Sequence, residues 1–200
     1  MEADDVFTLL PLHLDPSSKS VSATGPISNA LATELAALNT LHKSLKDIDG
    51  PAPPPPVPVN PKRSAAINKL RESGNTEFRK HNYTNAIHHY SIAIQAALGR
   101  PGWEPNGLVR EEVHGLLANR AQAYMAQQMW AEGAVDAEAS VEMKKVGNAK
   151  AWWRRGKCLL EMGRLEDADA WVGQSLEFEA TEPDLVALRE EIGKRLGKVV

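Results

Sequence analysis

The sequence predicts an all-α protein: a solenoid of three helix-turn-helix repeats closed by a capping helix, with a small α+β segment ahead of it. Three observations lead there. Stretches beginning at Ile67, His114 and Ala149 match one another in residue type, place by place. A proline-rich run precedes them, and the 49 residues before that run carry the pattern of one strand pair and one leucine-striped helix.

The composition bounds the function first. A chain of 200 residues, 42% hydrophobic and with both charge signs spread along it, fits one domain, or one plus an appendage. The net charge of -3 leaves no broad basic surface for duplex nucleic acid, so no nucleic-acid partner is expected and an anionic ligand must be met locally. Cys158 is the only cysteine, which excludes disulfides and Cys-rich zinc sites and fits a reducing compartment. The opening MEADDVFTLLPLHLDPSS is acidic at its start and interrupted by Pro11, so it reads as no secretory signal. No apolar run approaches the roughly 20 residues of a spanning helix. Direct membrane insertion is not expected, and membrane association would come through a partner.

Residues 1–49 are read as a partner-docking segment. VFTLLPLHL and KSVSAT have the pattern of a short strand pair around the turn Asp15-Pro16-Ser17-Ser18. A helix is expected from about Ser28 to Lys46. Leu31, Leu35, Leu38, Leu41, Leu45 and Ile48 recur along it at three- and four-residue spacing, an amphipathic stripe. So small a unit buries little surface alone. Either it docks through Leu31, Leu35 and Leu38 on another protein or on the rest of the chain, or it forms a modest self-contained cap. Next, GPAPPPPVPVNP, Gly50 to Pro61, cannot continue a helix or sheet, because proline removes donors and constrains the residue before it. Residues 50–61 are expected to be an extended linker.

From 62 to 198 the pattern is helical and repetitive. The fourth place of each repeat is large and apolar (Leu70, Leu117, Trp152), and the eighth is small (Gly74, Ala121, Gly156). The seventeenth is apolar or aromatic (Tyr83, Trp130, Leu165), and the twentieth is small again (Ala86, Gly133, Ala168). Small residues let two antiparallel helices approach, and bulky ones fill the space between. On these places the chain resembles the tetratricopeptide repeat family, whose period is about 34 residues. Repeats are expected over about 67–98, 114–147 and 149–182. GRPGWEPNGLVRE supplies roughly 13 extra residues beyond one period after the first of them. The tail from Pro183 to about 197 reads as the solvating end helix that such solenoids require.

Tetratricopeptide arrays bind peptides in a concave groove lined by the first helix of each repeat, so function has to be argued from residues there. Lys150 and Arg154, places two and six of the third repeat, have no Asp or Glu three or four residues away. The second repeat places Asn119 at six, and the first places Arg71 at five and Asn75 at nine. Together Arg71, Asn75, Asn119, Lys150 and Arg154 resemble the two-carboxylate clamp of chaperone-binding tetratricopeptide domains. The resemblance implies recognition of the free C-terminal Glu-Glu-Val-Asp of cytosolic heat-shock chaperones. A C-terminal aspartate presents two carboxylates, and charge-assisted bonds to cations and amides are about twice as strong as neutral ones. Arg71 departs from the family's lysine by offering a planar fork instead of a point donor. Trp153, Phe78, Gln122 and Lys157 are read as secondary groove contacts. Trp153 is open to a core role, and Lys157 is partly a surface pair with Glu161 four residues on. Binding in the micromolar range, about -7 to -8 kcal/mol, is expected.

Other residues carry less. His88 and His89 are adjacent, hence about 100° apart on a helix. The remaining histidines (His13, His42, His81, His114) are scattered, so no metal site is expected. Cys158 beside Leu159 and Leu160 reads as a buried inert thiol. Trp152 and Trp171 read as core, and Glu111-Glu112-Val113 as a coincidental, internal echo of the ligand. No phosphate loop, serine elbow or carboxylate pair appears. No enzyme and no cofactor are expected.

Chain size, the N-terminal unit, the proline run and the three-repeat clamp together resemble the small cytosolic tetratricopeptide subunits of the fungal Sec complex for post-translational translocation into the endoplasmic reticulum. The resemblance implies a receptor for the tails of Hsp70-class chaperones, ribosome-associated ones included. It also implies a peripheral place on the cytosolic face of that membrane, held by a membrane-anchored sister subunit through the N-terminal segment. The alternative is a free cytoplasmic co-chaperone with the same clamp, binding Hsp70 or Hsp90 tails.

Overall fold

In the computed structural model, which describes residues 10–46 and 59–197, two short strands are followed by eight α-helices. The chain divides into two units, Met1–Val57 and Pro58–Val200.

In the first unit β1 (Leu12–Leu14) pairs antiparallel with β2 (Val21–Ala23), His13 opposite Ser22. The turn between them is closed by Asp15, whose carboxylate accepts from the Ser17 and Ser18 amides at 2.8 and 2.7 Å. This is the side-chain mimicry of a backbone turn for which Asp is favoured. α1 (Asn29–Lys46) is pinned to β2 by Asn39, whose amide donates to Val21 O and accepts from Val21 N, both at 2.8 Å. The leucine stripe is thereby partly used up: Leu35 is buried, Leu31 is half-buried, and Leu38 stays 48% exposed. The expected docking set of Leu31, Leu35 and Leu38 is corrected accordingly. Leu38 is its exposed member, and Leu12 and Leu14 of β1 are exposed apolar residues too. The outer part of the expected strand pair before residue 10, Ile48 of the stripe, and linker residues 50–58 lie outside the described residues.

The second unit is the expected solenoid. Its helices are α2 (Pro61–Arg79), α3 (Tyr83–Leu98), α4 (Asn106–Ala126), α5 (Trp130–Met143), α6 (Ala149–Glu161), α7 (Leu165–Phe178) and the cap α8 (Pro183–Arg195). Each helix packs on the next, and α2, α4, α6 and α8 also touch in series as an inner layer. The small eighth places explain the close hairpins. A Cβ on Gly74 would come 2.5 Å from the Tyr90 ring, and one on Gly156 would come 2.6 Å from Val172. Trp152, 1% exposed, lies in the core with Ala118, Val141, Ala151 and Leu185, and its ring stacks on Phe178 at 5.7 Å.

Two boundaries differ from expectation. Pro61 does not end the linker but opens α2, with the Asn60 side chain capping the Lys62 amide at 3.0 Å. Proline suits a first helical position, whose N–H has no partner anyway. The insertion after the first repeat is only partly a connection. Residues 106–113 add two turns to the front of α4, because Val109, Val113, Leu116 and Leu117 keep helical spacing and reach the core. Only 99–105 remain as loop. That loop is anchored by the buried Arg100, which donates to Glu112 (2.9 and 2.7 Å), Glu104 (2.5 Å) and Ser64 (2.8 Å). Glu112 and the buried Val113 thus have structural work, and the Glu-Glu-Val echo there is internal packing.

Candidate functional site

The first helices of the repeats bring two depressions together. The smaller, about 180 Å³, is lined by Asn75, Phe78, Arg79, Tyr90, Asn119 and Gln122. The larger, about 530 Å³, continues past the shared Phe78 and Gln122 to Trp130, Lys150, Trp153 and Arg154, and Lys157 lines it as well. The two form one groove.

At its first-repeat end, Tyr90 is packed against Gly74 and donates its hydroxyl to Asn75 Oδ1 at 2.8 Å. Asn119 Nδ2 donates to the same oxygen at 3.3 Å. The two asparagines expected in the clamp therefore touch, and the Asn75 amide is oriented by two donors. Burial pushes the Tyr90 phenol up to about 12, so it remains a donor at neutral pH.

At the third-repeat end, Arg154 is 8% exposed. Its Nη1 donates to Ala118 O at 2.9 Å and its Nη2 to Gln122 Oε1 at 2.6 Å. Both acceptors are neutral, and among the described residues no carboxylate lies within ion-pair distance of it. Burial lowers its pKa from 12.5 to about 10, so the guanidinium stays charged at neutral pH while paying for desolvation. An incoming anion would relieve that cost. Lys150, one turn earlier and exposed, lines the same groove.

The other candidates fall into different positions. Trp153 is half-buried, lines the groove and packs on the core as well. Lys157 pairs with Glu161 at 3.0 Å and with Glu191 of α8 at 3.2 Å, so its charge is already committed. Arg71 lines neither depression, and its Nε lies 3.5 Å from Glu72.

Tyr90, Arg79 and Trp130 also belong to the groove. So do Glu182 and Asp184, which bring acidic side chains from the start of α8. Tyr90 had a signal in the sequence, a large residue facing the small Gly74; the α8 acids had none. Cys158 is buried, and burial pushes its thiol up to about 12, which makes it a poor nucleophile.

No protein-family model matches the sequence. Over 140 residues the chain is 36% identical to the ER protein translocation subcomplex subunit sec67 of Schizosaccharomyces pombe, across 69% of this chain and 72% of that protein. A chain of the Saccharomyces cerevisiae Sec complex, solved by cryo-electron microscopy, superimposes with a TM-score of 0.73 and 23% identity, covering 93% of this chain and 97% of that one. The second tetratricopeptide domain of human RPAP3, solved with the HSP70 peptide SGPTIEEVD, superimposes with a TM-score of 0.55 and 24% identity, covering 65% of this chain and 97% of that one. At such identities the structural likenesses speak for the fold, and that fold is the tetratricopeptide solenoid.

Proposed function

The chain belongs to the family of the Schizosaccharomyces pombe ER protein translocation subcomplex subunit sec67, and from that premise we propose that it is a non-enzymatic chaperone receptor of such a translocation complex. Its groove takes the acidic C-terminal tail of an Hsp70-class chaperone between Asn75, Asn119, Lys150 and Arg154, with Arg71 at the edge. The observation that carries this reading is Arg154, a desolvated cation held by two neutral oxygens. A ligand carboxylate supplies the counter-charge that the fold withholds, and charge-assisted bonds of this kind are the strong ones. The RPAP3 domain, of the same fold, was solved with a peptide ending in Glu-Glu-Val-Asp, which supports the ligand class. A terminal aspartate offers two carboxylates, and the groove offers amides from Asn75 and Asn119 and cations from Lys150 and Arg154.

No helix among the described residues is long and apolar enough to cross a membrane. The receptor is held on the cytosolic face of the endoplasmic reticulum by a membrane-anchored sister subunit that covers the exposed apolar residues Leu12, Leu14 and Leu38. Calorimetric titration with a peptide ending in Glu-Glu-Val-Asp tests the clamp: micromolar binding is expected with a free terminus and none with an amidated one. Co-purification of membrane subunits, lost in Leu38→Asp, tests the attachment. Recovery of chaperones alone would favour a free co-chaperone.

A further inference from the structure

Glu72 contacts Arg71 and Asn75, the two first-repeat residues of the expected clamp, of which Asn75 lines the groove. Its Oε2 accepts from Asn75 Nδ2 at 3.3 Å, and its Oε1 lies 3.5 Å from Arg71 Nε. One internal carboxylate therefore holds both groups. The Asn75 amide is not free to turn away, because its oxygen is taken by the Tyr90 hydroxyl and the Asn119 amide. The negative charge of Glu72 also helps to raise the Tyr90 pKa, after burial. The third-repeat cations are in the opposite state. Arg154 has only neutral partners, and Lys150 has no ion-pair partner among the described residues.

We infer that Glu72, an internal carboxylate beside the first-repeat end of the groove, opposes the tail at Arg71 and Asn75 and is a specificity-determining residue for it. The inference rests on the clamp reading above. A first ligand carboxylate meets Lys150 and Arg154, neither of which has an ion-pair partner among the described residues, with Glu182 and Asp184 lining the same depression. A second one, reaching for Arg71 and Asn75, meets the negative charge of Glu72, which already engages one donor group of each. The Glu72 side chain is 61% exposed, so its contacts are weak enough to be exchanged. A terminus with one carboxylate engages the third repeat alone, and the added value of a terminal aspartate is reduced by the charge of Glu72 beside Arg71 and Asn75.

The test is fluorescence anisotropy with two labelled peptides, both with free termini, ending in Glu-Glu-Val-Asp and in Glu-Glu-Val-Ala. Each is measured on wild type, Glu72→Gln and Glu77→Gln. Glu77 is on the same helix but pairs with Lys80 and Asn82, so its variant controls for net charge. The affinity ratio of the Asp peptide to the Ala peptide is expected to rise about two- to fivefold in Glu72→Gln and to stay put in Glu77→Gln. An unchanged ratio in Glu72→Gln, or an equal rise in both variants, would overturn the inference while leaving the clamp standing. A third, amidated Glu-Glu-Val-Asp peptide on wild type tests the premise: binding that survives amidation would remove the clamp reading itself, and this inference with it.

Discussion

The Arg154 guanidinium of α6 donates to the Gln122 side-chain oxygen of α4 at 2.6 Å, a link between two repeats that places a full charge against a neutral dipole. Such a charge costs stability in the free protein, a cost that the proposed tail carboxylate would offset. Replacing it with an apolar side chain of similar length removes the desolvation cost together with two hydrogen bonds. Arg154→Met is expected to keep the unfolding free energy within about 1 kcal/mol of wild type in urea denaturation. A loss of about 3 kcal/mol or more would make the guanidinium a structural strut.

Gly74 couples packing to the site. A Cβ there would meet the Tyr90 ring at 2.5 Å, and the ring's hydroxyl orients Asn75. Gly74→Ala is expected to destabilise through overpacking, which costs about 1–3 kcal/mol against about 0.5–1 kcal/mol gained in helix propensity. Tail affinity should weaken in the same variant. Gly156→Ala, which strikes Val172 and Leu188 instead, should destabilise without that effect on affinity. Equal loss of affinity in both would point to general unfolding.

The hairpin turns offer a gain. His81, Gln128 and Gly163 occupy the same fifteenth place of the three repeats, and all have positive φ: 61°, 59° and 75°. Only the third has the residue that adopts this conformation freely, since the left-handed region costs other residues roughly 1–2 kcal/mol. Gln128→Gly is expected to stabilise by about 0.5–1 kcal/mol, the strain relieved less the added entropy of the unfolded glycine. Thermal denaturation reads the sign directly.

His114 gives the stability a pH dependence. Its Nδ1 is buried without a partner, and Glu111 and Lys144 are the charged groups that act on it. Burial, reinforced by Lys144, outweighs Glu111 and holds the imidazole below its ordinary 6.5. The unfolded chain therefore takes up the proton first, so this contribution is complete above pH about 6.5 and is lost as pH falls below it. Urea midpoints of wild type should fall between pH about 7 and 5 more steeply than those of His114→Gln. Parallel slopes would count against the assignment.

The repeats were legible because size alternation at fixed places is a packing requirement: Gly74, Ala121 and Gly156 are small for the same steric reason. The helical start of α4 was not, since Pro101, Pro105 and Gly107 read as a loop. It took Val109 and Val113 finding the core, and Arg100 anchoring the remaining loop, to extend the helix. At the site, spacing placed Asn75, Asn119, Lys150 and Arg154 along one groove. It left unread the state of each charge: Arg154 sequestered by α4, Lys157 neutralised by Glu191 from α8, and Arg71 drawn to its neighbour Glu72. Those are contacts between elements or rotamer choices, and neither follows from local pattern. The N-terminal stripe shows the same limit, because Asn39, a polar residue between Leu38 and Leu41, decides which leucines are turned in.

The most direct test of the central claim is anisotropy of a labelled peptide ending in Glu-Glu-Val-Asp on wild type and on Arg154→Met, the variant expected to keep its fold. Micromolar binding to wild type, weakened at least tenfold in Arg154→Met and abolished by amidating the peptide, is the expected result. Equal binding to both proteins would contradict the account, because the buried guanidinium would then have no part in holding a tail.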